Sequence, residues 1–293
     1  MNQPSFNAIY QNAPHNRVDK LLQFRSTYPI QYHSIDNVKW SYILAGHGTR
    51  TILILGGITS TVETAHDRML ELVASYRVLL ISYPLYSKMD TFIDGLVKLL
   101  DLENIDRVDL IGGSFGAGVG HLLIRRYPNR VGKLILSAFG LYSQRHLQPI
   151  KWATRLYQFL PYSWLTKFYK GVIPKVLKDV DEEERLFLSA YMQDTLDLQL
   201  NKQMLISQLK MFIDLFENFE RYEIHTTIMG SNILIFQAED DTSFDRDEQA
   251  ALRQTYPEAT IYRFQSGGHA MGKNKPEYDR ILYQFLNLTN RSS

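Results

Sequence analysis

The strongest constraint on the fold of this chain is a serine flanked by glycines, which joins a strand-like run to a helix-like run. Residues 107–111 form a short β-branched run, Gly112-Gly113-Ser114-Phe115-Gly116 follows it, and the apolar residues 119–124 continue as a helical segment. A Gly-x-Ser-x-Gly turn in this context lifts the serine hydroxyl above a parallel sheet. Gly112 and Gly116 fit the turn because a Cβ would not be accommodated where the helix doubles back on the strand. Such a turn predicts a serine nucleophile.

The composition excludes several classes of protein. Cysteine is absent from the 293 residues, so disulfides, thiolate metal sites and a cysteine nucleophile are excluded. The formal net charge is +1 and basic residues cluster no further than local pairs, so we expect no nucleic-acid partner. No apolar run approaches the roughly 18 residues of a membrane span, and residues 1–6 do not resemble a signal peptide. We therefore expect a soluble, cytoplasmic protein that uses neither a metal nor an organic cofactor.

Strand-like and helix-like runs alternate along most of the chain. The strand-like runs are residues 31–35, 39–44, 51–55, 77–82, 107–111, 133–138, 232–237 and 260–264. The main helix-like runs are residues 63–76, 90–102, 119–124, 245–256 and 275–288. Strands that alternate with helices through short loops predict a parallel sheet with right-handed crossovers. The expected fold class is therefore α/β, with a mostly parallel central sheet flanked by helices.

The alternation stops between residues 141 and 229. This stretch contains no convincing strand, and its helix-like runs carry many aromatic side chains: Trp152, Tyr157, Phe159, Tyr162, Trp164, Phe168 and Tyr169. We predict a core made of residues 1–140 and 230–293, with residues 141–229 inserted as a helical cap after the sixth strand. A long helical connection is the alternative. We expect the aromatic side chains to form the core of the cap more than to line a pocket.

A serine nucleophile needs a base that accepts its proton and a third group that orients the base. Of the eight histidines, His269 is the best placed, because residues 265–268 would carry it from the last strand to the carboxyl edge of the sheet. A histidine in a surface loop is the alternative. His47 precedes a glycine, as in many oxyanion-hole motifs, but it comes before the strand at residues 51–55, at the wrong end of the sheet. We interpret His47 as part of a hairpin turn.

The orienting acid is expected beyond the end of a strand, between Ser114 and His269 in the chain. Three consecutive carboxylates, Glu239, Asp240 and Asp241, follow the strand at residues 232–237. We predict that Asp241 is the acid, with Asp240 as the fallback, and a solvated acidic loop is the alternative. The order of serine, acid and histidine distinguishes the serine-hydrolase folds from one another.

A tetrahedral intermediate also needs two N–H donors for its oxyanion. One is expected to be the backbone amide of Phe115, which follows the nucleophile. The other is expected in the loop at residues 56–61, and we assign it to the amide of Ile58, although the glycines of this loop are also typical of a tight turn. The run at residues 116–120 does not match G-x-G-x-x-G, and no P-loop lysine is present, so nucleotide binding is not predicted.

With the serine turn at residues 112–116 (the nucleophile elbow), the acid and the histidine in this order, the chain resembles the α/β-hydrolase superfamily over nearly its whole length. Within that superfamily it is most similar to the maspardin-like branch, in segments that are less specific than the triad: Trp40-Ser41-Tyr42, Tyr83-Pro84-Leu85-Tyr86, residues 92–96, residues 99–101, Tyr256-Pro257 and Gly267-Gly268. Some members of this branch depart from the triad at the histidine position and act partly through protein binding. Because His269 is present here, the resemblance implies that hydrolase chemistry is retained.

These features predict a serine hydrolase that cleaves a carboxylic ester or a related acyl compound through an acyl-enzyme intermediate. The aromatic insertion favours a small molecule with an apolar acyl or alcohol group, since such residues commonly line pockets. A non-catalytic, maspardin-like scaffold that binds proteins is the alternative. Lyases, C–C hydrolases and cofactor-free peroxidases also use this fold. The sequence does not indicate an oligomeric state.

Overall fold

The computed structural model describes residues 5–141, 147–177, 180–219, 230–271 and 275–288, and its centre is an eight-stranded sheet. The strands are β1 (Gln31–Ile35), β2 (Val38–Ala45), β3 (Thr51–Leu55), β4 (Arg77–Ser82), β5 (Val108–Gly113), β6 (Val131–Ser137), β7 (Ile233–Ala238) and β8 (Thr260–Phe264). Their order is β1-β2-β4-β3-β5-β6-β7-β8. Only β2 runs antiparallel to its neighbours, β1 and β4. The predicted mostly parallel sheet is confirmed.

Five of the helices that pack with the sheet are α3 (His66–Leu72), α4 (Met89–Leu102), α5 (Phe115–Arg126), α10 (Arg246–Thr255) and α11 (Lys275–Leu286). Alternate side chains of β3 enter two different cores. Leu53 and Leu55 pack in the same cluster as residues of α4 and α5, whereas Ile52 and Ile54 pack with residues of α3 and α11. Because both faces are covered, all of β3 is buried, which explains its nearly continuous apolar sequence.

Two helices precede the sheet, α1 (Phe6–Tyr10) and α2 (His15–Thr27), and sequence reasoning assigned no element to them. Only Leu21 and Phe24 of α2 are buried, so the helix has no broad apolar stripe that a sequence pattern could reveal. The helix predicted at residues 63–76 is shorter in the structure. Residues 61–66 and 72–75 form turns with bonds between positions three apart, and these turns limit α3 to seven residues.

His47 lies between β2 and β3, at the amino end of β3 and away from Ser114. The position at the wrong end of the sheet is as expected. The hairpin interpretation is wrong, because β4 lies between β2 and β3 in the sheet and the two strands do not pair. The connection therefore passes the amino end of β4 and does not form a β-hairpin.

Between β6 and β7 the regular elements of the described residues are helices. This helical insertion comprises α6 (Leu147–Tyr157), α7 (Tyr162–Val176), α8 (Glu182–Asp194), a π-helical turn (Thr195–Gln199) and α9 (Lys202–Glu217). Residues 142–146, 178–179 and 220–229 of the predicted cap lie outside the described residues. The division into core and cap stays a prediction. In the described parts of the chain, none of the helices combines the length and the apolar character needed to cross a membrane.

Candidate active site

Ser114 lies at the sharp turn between β5 and α5, at the carboxyl end of the central strands. Its backbone has a φ of +51°, a left-handed conformation that side chains other than glycine rarely adopt. A Cβ on Gly112 would lie 2.5 Å from the carbonyl oxygen of Gly116, and one on Gly116 would lie 2.2 Å from that of Leu55. Both glycines are therefore required by close backbone contacts, and the turn holds the serine in a strained conformation.

The imidazole of His269 lies between the hydroxyl of Ser114 and the carboxylate of Asp241. Its Nε2 atom is 2.9 Å from Ser114 Oγ, and its Nδ1 atom is 3.0 Å from Asp241 Oδ2 and 3.2 Å from Oδ1. The Asp241 side chain is only 2% exposed, whereas that of His269 is 33% exposed. With a proton on Nδ1, the ring donates to the carboxylate and accepts a hydrogen bond from the serine. The arrangement can deprotonate Ser114.

Asp240, the fallback acid, does not contact the imidazole in this structure. Its carboxylate instead accepts hydrogen bonds from the backbone N–H groups of Gly267 at 3.2 Å and Gly268 at 2.8 Å. Asp241 also accepts a hydrogen bond from the Ser243 amide at 2.7 Å, which orients its carboxylate. Asp241 therefore contacts the histidine, and Asp240 stabilises the loop that contains it.

Gly57, in the loop after β3, lies close to Ser114. A Cβ built on Gly57 would lie 3.6 Å from the Ser114 Cβ, and both Gly57 and Ile58 line the cavity at the serine. The sequence predicts the amide of Ile58 as a donor, and the structure adds that of Gly57, since the Gly56-Gly57 pair allows a close backbone approach. Phe115 begins α5, and its side chain is fully buried beneath the site. The amides of Phe115, Gly57 and Ile58 are therefore the candidate oxyanion donors.

A cavity of about 830 Å³ opens above Ser114 and His269. One wall belongs to α7, whose residues Tyr169, Val172, Ile173 and Val176 follow helical spacing along a single face. Leu188 and Met192 of α8 extend the same apolar wall. The helical insertion and the sheet together form a cavity that is mostly apolar, with the serine and the histidine at its floor.

Two cations at the cavity wall are neutralised by neighbouring carboxylates. Arg68 pairs with Glu71 at 2.8 Å and also with Asp279, while Lys275 pairs with Asp279 at 2.8 Å. The carboxylates raise the pKa of the Arg68 guanidinium and keep it charged against the opposing effect of burial. These pairs compensate the charges of the two cations at the cavity wall.

A polar pair, Ser137 and Tyr278, also lines the cavity and was missed by sequence reasoning. The two hydroxyl oxygens lie 2.8 Å apart, and burial raises the pKa of the Tyr278 phenol. Ser137 ends β6, so its place at the carboxyl edge was a usable signal, whereas nothing in the local sequence of α11 indicates a role for Tyr278. Among the residues that the structure describes, no group of three or more His, Asp or Glu side chains is arranged to hold a metal.

Comparison with known proteins agrees with this architecture. Residues 51–276 match the family model for the alpha/beta hydrolase fold. The chain is 26% identical to maspardin of Danio rerio over 264 residues, which cover 84% of this chain and 78% of that protein. It is also 26% identical to 2-hydroxy-6-oxononadienedioate/2-hydroxy-6-oxononatrienedioate hydrolase 2 of Pseudomonas putida over 265 residues, 82% of this chain and 89% of that protein.

Solved structures share the same fold at low sequence identity. A hydrolase from Pseudomonas aeruginosa PA01 superposes with a TM-score of 0.69 and 17% identity, covering 88% of this chain and 98% of that one. An epoxide hydrolase from Bacillus megaterium superposes with a TM-score of 0.66 and 18% identity, covering 88% of this chain and all of that one. The chain therefore belongs to the α/β-hydrolase superfamily, and its sequence is maspardin-like.

Proposed function

We propose that this protein is a serine hydrolase that cleaves a carboxylic ester or a related acyl compound, with Ser114, Asp241 and His269 as its catalytic triad. The observation that carries the proposal is the position of the His269 ring, within hydrogen-bond distance of both the serine oxygen and a buried carboxylate. Serine catalysis requires a base that is within hydrogen-bond distance of the nucleophile and is oriented by a third group. A non-catalytic scaffold would not need this arrangement.

In the proposed reaction, His269 Nε2 accepts the proton of Ser114 as the serine Oγ attacks the carbonyl carbon of the substrate. The carbonyl oxygen becomes an oxyanion, which the amide of Phe115 and an amide of the loop after β3, from Gly57 or Ile58, stabilise. The protonated imidazole is stabilised by Asp241 and then donates its proton to the leaving alcohol. The same histidine activates the water that hydrolyses the acyl-enzyme, which releases the acid and restores Ser114.

The cavity supports a small neutral substrate with an apolar acyl group. Its volume of about 830 Å³ lies within the usual range for ligand pockets. The side chains from α7 and α8 that line it are apolar or aromatic, and the cations at its wall are paired with carboxylates. No cofactor enters the proposed reaction. Because the chain carries no cysteine, we place it in a reducing compartment, the cytoplasm.

The proposal is tested by the intact mass of the protein after incubation with a small fluorophosphonate, with Ser114→Ala as the control. We expect a single adduct on the wild type and none on the variant, together with turnover of p-nitrophenyl esters by the wild type alone. The absence of both adduct and turnover on folded wild-type protein would favour the scaffold instead. Hydrolysis of p-nitrophenyl esters by folded Ser114→Ala at the wild-type rate would exclude Ser114 as the nucleophile.

A further inference from the structure

The outer faces of α6 and α7 expose large aromatic side chains to solvent. Trp152, Phe159, Trp164 and Phe168 are 68%, 85%, 64% and 59% exposed, respectively. We expected these residues to form the core of the insertion, and the structure shows that prediction to be wrong for these four. The inner faces of the two helices pack with Leu205 and Leu209 of α9, and the aromatic side chains on the outer faces remain mostly exposed to solvent.

The exposed residues are regularly spaced along each helix. On α6 and just beyond its end, Trp152, Arg155, Leu156 and Phe159 are separated by three or four positions, so they share one face. On α7 the same holds for Trp164, Lys167, Phe168, Val172 and Lys175. We call these nine residues the outer face of the insertion. Its composition combines aromatic or aliphatic side chains with cations, and acidic residues are absent from it.

The charge of this region differs from that of the rest of the chain. Residues 147–177 contain five cations and neither aspartate nor glutamate, whereas the whole chain carries a formal net charge of only +1. Lys151 pairs with Glu217, and Lys170 pairs with Asp197 at 2.6 Å. Within the described ranges, Arg155, Lys167 and Lys175 have no carboxylate partner, and Arg155 lies 5.6 Å over the Trp152 ring. The outer face therefore presents uncompensated positive charge.

The outer face also borders the cavity. Val172 and Val176 of α7 line the cavity and are nevertheless exposed, so the cavity mouth lies beside the aromatic side chains. Helices that rest on a membrane surface combine tryptophan and phenylalanine with lysine and arginine, because the rings enter the interfacial layer and the cations contact anionic headgroups. A protein partner would be expected to supply carboxylates in one fixed geometry, whereas a bilayer matches an extended face of rings and cations.

We propose that the outer face of the insertion docks on the surface of a lipid bilayer that carries anionic headgroups. In this orientation the cavity mouth faces the lipids, so that an acyl lipid enters the cavity directly from the bilayer. The assignment of an acyl lipid as the substrate rests on the proposed hydrolase function. The docking itself depends only on the exposed residues.

The tryptophans make the docking directly measurable. The chain has three tryptophans, of which Trp40 is fully buried and the other two lie on the outer face. With vesicles containing about one third phosphatidylserine, we expect a blue shift of the emission and quenching by lipids brominated on their acyl chains. Vesicles of phosphatidylcholine alone are expected to bind more weakly. Equal binding to both vesicles, or no binding to either, would overturn the proposal.

Paired variants test the two components of the face. Because each lysine near an anionic surface contributes to binding, Lys167→Glu/Lys175→Glu is expected to weaken binding by about 30-fold or more. Phe159→Ser/Phe168→Ser retains both exposed tryptophans and is expected to lose the quenching by brominated lipids. Leu102→Ser, at an exposed leucine on α4, is the control and should bind as the wild type does. If both double variants bind anionic vesicles as the wild type does, docking through this face is contradicted. Binding of a purified protein partner to the same face would not rescue the proposal.

A second measurement separates this inference from the proposed function. Both double variants should hydrolyse soluble p-nitrophenyl butyrate at the wild-type rate and lose turnover of an ester lipid embedded in anionic vesicles. The Ser114→Ala variant should bind vesicles normally. If the wild type binds vesicles but hydrolyses neither ester, the proposed hydrolase function and the proposed acyl-lipid substrate are wrong, and the proposed docking still holds. If the wild type hydrolyses the soluble ester but does not bind vesicles, the proposed function holds and the proposed docking is wrong.

Discussion

At the residue scale, Asp240 and Asp241 are neighbours in the chain, yet their carboxylates have different partners. Asp241 lies 3.0 Å from the His269 ring, whereas Asp240 binds the backbone of Gly267 and Gly268. Successive side chains point in different directions, so a loop can use one carboxylate for the histidine and the next for its own structure. The two residues therefore form a natural pair of mutant and control.

Replacing Asp241 with asparagine is expected to lower kcat by about 10⁴-fold, because the amide no longer holds the imidazole in the tautomer that accepts the serine proton. Asp240→Asn should retain most of the activity and lower the thermal midpoint, since it weakens the hydrogen bonds to the histidine loop. Ester turnover and thermal unfolding of the two purified variants measure both effects. Equal losses of kcat in the two variants would contradict the assignment of Asp241.

A glycine pair near the elbow offers a second comparison at this scale. A Cβ on Gly116 would lie 2.2 Å from the Leu55 carbonyl oxygen, whereas a Cβ on Gly113 would meet nothing within 4 Å. Gly116→Ala is therefore expected to lower the free energy of unfolding by about 2 kcal/mol or more, and Gly113→Ala by less than about 0.5 kcal/mol. Urea denaturation of both variants measures the difference, and similar losses would show that the backbone around Gly116 can relax.

At the scale of elements, α2 connects the segment after β3 to the helical insertion through a largely buried ionic cluster. Arg25 of α2 donates to Glu63 at 3.0 and 2.7 Å and to Asp194 at 2.5 Å. Glu63 belongs to the segment between β3 and α3, and Asp194 ends α8, where its side chain is only 1% exposed. A single guanidinium thus compensates two carboxylates from different parts of the fold, which couples the loop after β3 to the insertion.

Arg25→Met is expected to destabilise the protein by about 3–5 kcal/mol, because it leaves two mostly buried carboxylates close together without a cation. The matched control is Arg126→Met on α5, whose pair with Asp94 is much more exposed and should contribute less than about 1 kcal/mol. Denaturant titration of the two variants gives both values. A loss for Arg25→Met no larger than that of the control would show that the cluster contributes nothing beyond a surface pair.

At the scale of the whole molecule, histidines buried in the core link stability to pH. His121 on α5 is fully buried, hydrogen-bonded to Tyr256 at 2.7 Å and stacked on Phe219. Burial, with a smaller contribution from Arg125, lowers the pKa of His121 from 6.5 to about 3. Burial also lowers the pKa of His66. Both rings are therefore neutral in the folded protein at neutral pH.

Because the unfolded chain binds a proton at His121 below about pH 6.5 and the folded protein does not, stability is expected to fall as the pH falls from about 6.5 toward 3. At pH 5 the loss from this residue alone is about 2 kcal/mol relative to neutral pH. Urea unfolding of the wild type and of His121→Gln across this range measures it. The free energy of unfolding of the variant should depend less steeply on pH than that of the wild type. Identical slopes in the two proteins would contradict the role of His121.

The sequence alone determined the features that depend on neighbouring residues. Continuous apolar runs predict buried parallel strands, and glycines on either side of Ser114 are required by close backbone contacts. The mostly parallel sheet is confirmed, while the catalytic roles of Ser114, Asp241 and His269 stay predictions. The order of elements implied that Ser114, His269 and the acidic residues after β7 lie at the same edge of the sheet, because each follows the carboxyl end of a parallel strand.

Only the tertiary structure decided which groups from distant segments meet. It brought Asp241 rather than Asp240 to His269, 28 residues away, and placed Gly57 beside Ser114. It assembled the cluster around Arg25 and left four aromatic side chains, Trp152, Phe159, Trp164 and Phe168, exposed. Helical spacing shows that residues share a face but not which face a neighbouring element covers. That choice depends on how whole elements pack, so it cannot be obtained from any local pattern.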